Sequence, residues 1–141
     1  MKKIYWFFIV AIAIICFVCY LLYSKKNELN TKQGINNFYE KYYQNEVNGI
    51  DLATLINKAY DQNVLHRVEK GDNDLFISND TNSINIELSF KDSDKVYHFE
   101  KIYINGTEKF VELYSNVSFK CDKIDYHDKT KIVKYLHFTE D

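Results

Sequence analysis

The sequence predicts an α+β fold, in which an N-terminal transmembrane helix is followed by two helices packed on an antiparallel β-sheet that ends in a β-hairpin. Three observations predict it. A charge-free apolar run opens the chain, an apolar stripe of helical period follows it, and beyond Val64 the apolar period shortens from 3.6 residues to 2. With the apolar run set aside, about 117 residues remain, enough for one compact core. The expected organisation is a short tail at residues 1–3, a membrane helix at 4–23 and a single soluble domain at 24–141.

The first element is "IYWFFIVAIAIICFVCYLLY", Ile4 to Tyr23, twenty residues without a charge. As a helix rising about 1.5 Å per residue it spans roughly the 30 Å of bilayer hydrocarbon. Tyr5 and Trp6 at one end and Tyr20 and Tyr23 at the other stand where interfacial aromatic belts sit. A cleaved signal peptide has a shorter apolar region and a small-residue cleavage site, and Cys19 to Ser24 offers no A-x-A pattern, so an uncleaved signal anchor is expected. Lys2 and Lys3 balance Lys25 and Lys26 across the segment, so the positive-inside rule discriminates weakly. The basic start followed at once by a long apolar run favours export of the C-terminal domain. Cys16 and Cys19 have C-x-x-C spacing but lie in the apolar run, where a thiolate is poorly solvated.

Beyond the membrane run, Ile35, Phe38, Tyr39, Tyr42 and Tyr43 fall at i, i+3, i+4, i+7 and i+8 and predict an amphipathic helix over about 28–47, closed by Asn48-Gly49. Asp51 is the expected N-cap of a second helix over about 51–62, whose face is Leu52, Leu55, Ile56, Ala59 and Tyr60. From about residue 64 to 138, "DLFIS", "NSINIELSF" and "KVYHFEKIYI" read as strands, and "TEKFVELYSN" reads as a short helix with Phe110, Val111 and Tyr114 inward. In the second of these strands Ile84, Ile86, Leu88 and Phe90 alternate with polar Asn85, Glu87 and Ser89, so one face is buried and the other wet.

The stretch richest in reactive groups is "FKCDKIDYHDKTKIVKYLHF", Phe119 to Phe138. With His127 to Thr130 as a four-residue loop, Ile124 meets Val133, Cys121 meets Leu136 and Phe119 meets Phe138. Apolar faces apolar at three rungs, which predicts a hairpin. The same register sets Lys123 against Lys134, a like-charge pair that points to a bulge or a slip. It also places His137 opposite Lys120, roughly 23 Å from His127 at the loop tip. Asp125 and His127 are then the only residues placed to share a metal ion, and two ligands fall short of the three or four that zinc takes from a protein. No metal, no cofactor and no catalytic residue are therefore expected, and Cys121 reads as a small buried apolar residue.

Composition narrows the function further. Sixteen basic against twenty acidic residues after Tyr23 leave a net charge of −4, without the basic face that a phosphate backbone needs, so no nucleic-acid partner is expected. Seventeen lysines to one arginine, fourteen asparagines and no proline follow A/T-rich codons and point to an AT-rich bacterial genome. Nucleotide-binding glycine loops, H-E-x-x-H, G-x-S-x-G and EF-hand loops are absent from the sequence.

The segments "FYEKYYQNEVNGIDLATLINKAYDQN", "NSINIEL" and "FKCDKIDYHDKTKIVKYLHF" resemble small single-pass membrane proteins of clostridia and related low-GC Gram-positive bacteria. The resemblance implies a plasma-membrane location and this fold type, and brings no catalytic residue. The organisation is also similar to pilins, with an apolar helix running into a sheet, although the glycine-ended leader and the early glutamate of their mature helix are missing. The functional expectation is a membrane-anchored, non-enzymatic binding or assembly module of the cell envelope, held in the lipid bilayer through residues 4–23 and working with another envelope protein. The alternatives are an accessory pilin-like subunit of a pilus or secretion apparatus and, behind it, an envelope hydrolase using Cys121 or the Asp125/His127 pair.

Overall fold

A computed structural model describes residues 2–141, with side chains from Tyr5 onward, so Met1 of the expected tail lies outside the described residues. The chain divides into two compact units, one ending at Gly34 and the other spanning Ile35–Asp141. From Lys2 to Gly34 the backbone is helical, as part of α1 (Lys2–Glu40). No side chain of the apolar run from Tyr5 to Tyr23 is buried, and α1 is long and apolar enough to cross a membrane. Glu28 and Lys32 form an i,i+4 ion pair at 2.6 Å further along this helix.

The second unit is α+β. After the last turn of α1 come β1 (Glu46–Asn48), α2 (Gly49–Leu65), β2 (Asn85–Ser89), β3 (Val96–His98), α3 (Phe99–Asn105), α4 (Thr107–Tyr114), β4 (Ser118–Tyr126) and β5 (Val133–Glu140). The described residues therefore hold four helices where the sequence predicts the membrane helix, two more and a short fourth segment. The first helix ends at Glu40, short of the expected 47. There the chain turns into β1 through Gln44, whose φ of 61° is left-handed and whose N–H donates to Cys121 O at 2.9 Å.

The sheet is mixed, with strand order β1-β4-β5-β2-β3, which corrects the expected antiparallel sheet. Every neighbouring pair is antiparallel except β2 and β5, which run parallel with Ile86 beside Leu136 and Leu88 beside Phe138. The parallel pair arises because α3 and α4 intervene between β3 and β4, so that β5 returns into the gap between β4 and β2. β5 lies between β4 and β2, and its core face buries Val133, Leu136 and Phe138.

Two expected strands take other forms. In "DLFIS" only Phe76 bridges, to Lys70, and its N–H donates to the Glu100 carboxylate at 3.0 Å, so a side chain takes the place of a strand partner. "KVYHFEKIYI" yields a three-residue strand and then α3. Phe99, Ile102 and Tyr103 stand at i, i+3 and i+4, and all three meet the core, a helical spacing within what reads as alternation.

The α2 helix starts two residues before the expected position. Asn48, not Asp51, is its N-cap, with the Asn48 side-chain oxygen accepting from Asp51 N–H at 2.8 Å. Leu52, Leu55, Ile56 and Ala59 on its inner face are buried against Ile86, Leu88, Phe119 and Phe138 of the sheet core. At its start Gly49 lies so close to α4 that a Cβ there would meet the Tyr114 carbonyl. Near its end, buried Asn63 donates to Ile84 O and accepts from Ile84 N–H, both at 2.8 Å, which satisfies the strand backbone just before β2 begins.

β4 and β5 pair antiparallel in a register that departs from the expected one. Ile124 meets Leu136, Cys121 meets Phe138 and Phe119 meets Glu140, a shift of two or three residues from the sequence reading. The connection is six residues, His127 to Ile132, closed by His127 N–H to Ile132 O and Lys131 N–H to His127 O, each at 2.9 Å. The register is interrupted between Cys121 and Lys123 and again between Asp125 and Tyr126, which leaves Asp122 and Lys134 without opposite partners. Lys123 thereby faces His137, so the like-charge pair that the simple register demands is never formed.

Candidate functional site

The chemistry of this chain collects on the wet face of the sheet. Strand alternation sends Asn85, Glu87 and Ser89 of β2, Tyr135, His137 and Thr139 of β5 and His98 of β3 to the side opposite the core, all of them partly buried. Two hydrogen-bonded groups form there. In one, Glu87 accepts from Tyr135 OH at 2.8 Å and from Asn85 at 3.3 Å, and it lies 3.4 Å from His98 Nδ1. Burial and the bond to Glu87 push the Tyr135 hydroxyl well above its usual range.

The other group is a line of three. His137 Nδ1 lies 2.7 Å from Asp122 Oδ1, and His137 Nε2 lies 2.9 Å from Ser89 Oγ. A carboxylate only accepts, so Nδ1 carries the proton, and in the neutral ring Nε2 is left to accept from the serine hydroxyl. Thr139 Oγ1 donates to the second carboxylate oxygen of Asp122 at 2.9 Å. Both carboxylate oxygens are thus held, and the imidazole is fixed in tautomer and orientation. The bulge makes this possible, because an extra residue in β4 turns Asp122 onto the same face as Lys123. The His137 side chain is 21 % exposed and that of Asp122 47 %, so the line is reachable from solvent.

The residues singled out from sequence are not brought together. Asp125 is half exposed and pairs with Lys123 at 3.2 Å. His127, expected at an exposed loop tip, is 1 % exposed, with Nε2–H donating to Ser83 O at 2.7 Å and Nδ1 without a partner. The loop reaches inward because Thr130 Oγ1 donates to Thr81 O at 2.6 Å and Lys129 pairs with Asp80 at 2.8 Å, drawing it onto residues 79–83. Burial lowers the His127 pKa. Among the described residues no three His, Cys, Asp or Glu groups converge as metal ligands.

Cys121 lies fully buried in the core, its thiol donating to Lys123 O at 3.5 Å, and burial pushes it up to about 11. Such a thiol is not a thiolate at neutral pH and has no route to a substrate. Sequence reasoning missed Ser89, Asp122 and His137 as a group, because its register set His137 against Lys120. A separate cleft of about 380 Å³ is lined by Phe90, Tyr97, Ile102, Phe110 and Tyr114, with Asp92 and Lys109 as its charged residues.

The chain matches no protein-family model, no curated protein and no solved structure.

Proposed function

We propose that the chain is a single-pass, membrane-anchored module of the bacterial cell envelope, with its α+β unit outside the cytoplasm and available for binding or assembly with another envelope protein. The observation that carries this reading is the apolar surface of α1. From Tyr5 to Tyr23 the side chains are exposed all round the helix. In water that surface would cost about 25 cal/mol for each Å² left exposed, whereas a bilayer removes the cost.

The test is partition and topology of the full chain. It should stay in the membrane pellet through alkaline carbonate washing, and a reporter that works only outside the cytoplasm, fused after Asp141, should be active. Release by carbonate removes the anchor; a silent fusion on a stably expressed chain reverses the orientation.

A second reading, the accessory pilin-like subunit, is favoured by the unbroken run of α1 from Lys2 to Glu40, whose last turn carries Tyr39 into the core of the sheet unit. Oxidative cross-linking through Cys16 and Cys19, both exposed on the helix, separates the two. A ladder of identical copies selects the pilin-like subunit, and a single adduct with a different protein selects the binding module.

A further inference from the structure

The geometry points to Ser89 as a nucleophilic serine that takes an acyl group from small activated carboxylic esters, with His137 as its general base and Asp122 as the residue that positions the base. This goes beyond the envelope-module reading and does not depend on it. It also departs from the sequence expectation that no residue is catalytic.

Three features of the wet face carry the inference. The first is the unbroken line from Ser89 Oγ to His137 Nε2 at 2.9 Å and from His137 Nδ1 to Asp122 Oδ1 at 2.7 Å, within hydrogen-bond reach at both links. Nucleophile, base and orienting carboxylate in that order are what activates a hydroxyl too weak to react by itself. The second is the price in regular sheet structure: β4 gives up its ladder at Asp122, and the displaced carboxylate is then held by Thr139 as well as by His137. The third is burial. Ser89 and His137 are partly buried and Asp122 is exposed, so the base is shielded enough to stay oriented while the line is not sealed inside the core.

The step balances without a cofactor. Ser89 Oγ attacks the ester carbonyl carbon as its proton moves to His137 Nε2. The tetrahedral adduct collapses with cleavage of the ester C–O bond, and His137 returns the proton to the departing alkoxide, which leaves as an alcohol. Water, deprotonated by the same imidazole, then attacks the acyl-serine, releasing a carboxylic acid and restoring the hydroxyl.

The same geometry sets the rate. In a strand the backbone N–H groups lie in the plane of the sheet and are spent on the ladder, so β2 and β5 offer no pair of amides to the oxyanion. Losing a single such donor costs about 10²- to 10³-fold in enzymes that have one. Good leaving groups are therefore required, and acylation is expected to outrun release of the acyl group.

The full chain, solubilised in detergent, is mixed with p-nitrophenyl acetate. The expected result is a burst approaching one equivalent of p-nitrophenolate per chain, with the acetyl group mapped to Ser89 by peptide mass spectrometry. Ser89→Ala should abolish the burst. His137→Gln should slow it about 10²- to 10⁴-fold, the range of a positioned general base. Asp122→Asn should slow it while leaving Ser89 as the acetylated residue, a readout that loss of a merely structural contact would not give. Acetylation confined to lysines, a full burst from Ser89→Ala, or a His137→Gln variant as fast as wild type overturns the proposal. Should any variant fail to fold, the map of the wild-type adduct decides alone: acetyl on Ser89 upholds the proposal and its absence overturns it.

Discussion

His127 illustrates how one side chain is read differently once its neighbours are known. Beside Asp125 it resembles a ligand; in the fold it is a buried neutral ring that closes the 127–132 loop onto Ser83. Its neutrality predicts a pH dependence. Burial lowers its folded pKa, against which the bond to Ser83 and the more distant Asp80 and Asp128 act upward while Lys134 adds to the lowering. In the unfolded chain a histidine titrates at about 6.5, so between the two values the unfolded state binds more protons and stability rises with pH. Acidification from pH 7.5 toward 5 should therefore lower the urea midpoint. Buried Glu100, whose pKa burial raises, contributes with the opposite slope, since its share is lost as pH rises. The informative quantity is the wild type minus His127→Gln difference across that range. It should shrink on acidification, and a difference independent of pH would show that His127 does not titrate on unfolding.

At the scale of elements, α2 makes two sharp predictions. Leu55 is fully buried in the middle of its inner face and Lys58 is exposed on the outer one. Leu55→Asp should cost several kcal/mol by burying a charge, out of a typical total of about 5 to 15, whereas Lys58→Asp should cost less than about 1. Gly49→Ala should be destabilising by about 1 to 3 kcal/mol despite adding a better helix former, because its Cβ would press on the Tyr114 backbone. Urea melts of the three variants check these, and a Gly49→Ala midpoint at or above wild type would show that α2 and α4 separate at no cost. The α2 face was legible in the sequence because its apolar spacing repeats over five positions, and the alternation around Ile86 and Leu88 was legible for the same reason. Strand order and the β4–β5 register were not. Pairing of β2 with β5 is decided by residues fifty positions apart, and no local pattern records it. The register turned on bulges at Asp122 and Lys134, and only the awkward Lys123–Lys134 rung signalled them. The Asp122–His137 link exists only in the bulged register and the Ser89–His137 link only where β2 lies beside β5, so the candidate site was hidden by both unread features.

The molecule as a whole combines a helix long and apolar enough to cross a membrane with a unit that closes its own core. Beyond Tyr23 the chain carries a net charge of −4, and its buried set draws on α2, α3, α4 and four of the five strands. Tyr39 belongs to that set although it lies in the last turn of α1, and Asn36, one turn earlier, donates to Lys131 O at 2.8 Å and accepts from Val133 N–H at 2.9 Å. The boundary of the folding unit is thus set inside α1, before Ile35, and not where the helix ends. Residues 25–141, expressed without the apolar run, should form a soluble unit that melts cooperatively in urea, with far-ultraviolet circular dichroism and tyrosine fluorescence changing together and a slope of about 1 to 3 kcal/mol/M. Tyrosine is the proper probe because the one tryptophan, Trp6, lies in the run removed. Residues 41–141 should lose about 3 to 5 kcal/mol from the missing aromatic ring alone, and more from the stranded backbone groups at 131 and 133, enough to unfold a domain of ordinary stability. Equal midpoints for the two pieces would place the last turn of α1 outside the fold. A non-cooperative melt of 25–141 would show that the sheet unit needs a partner, or the membrane, to close its core.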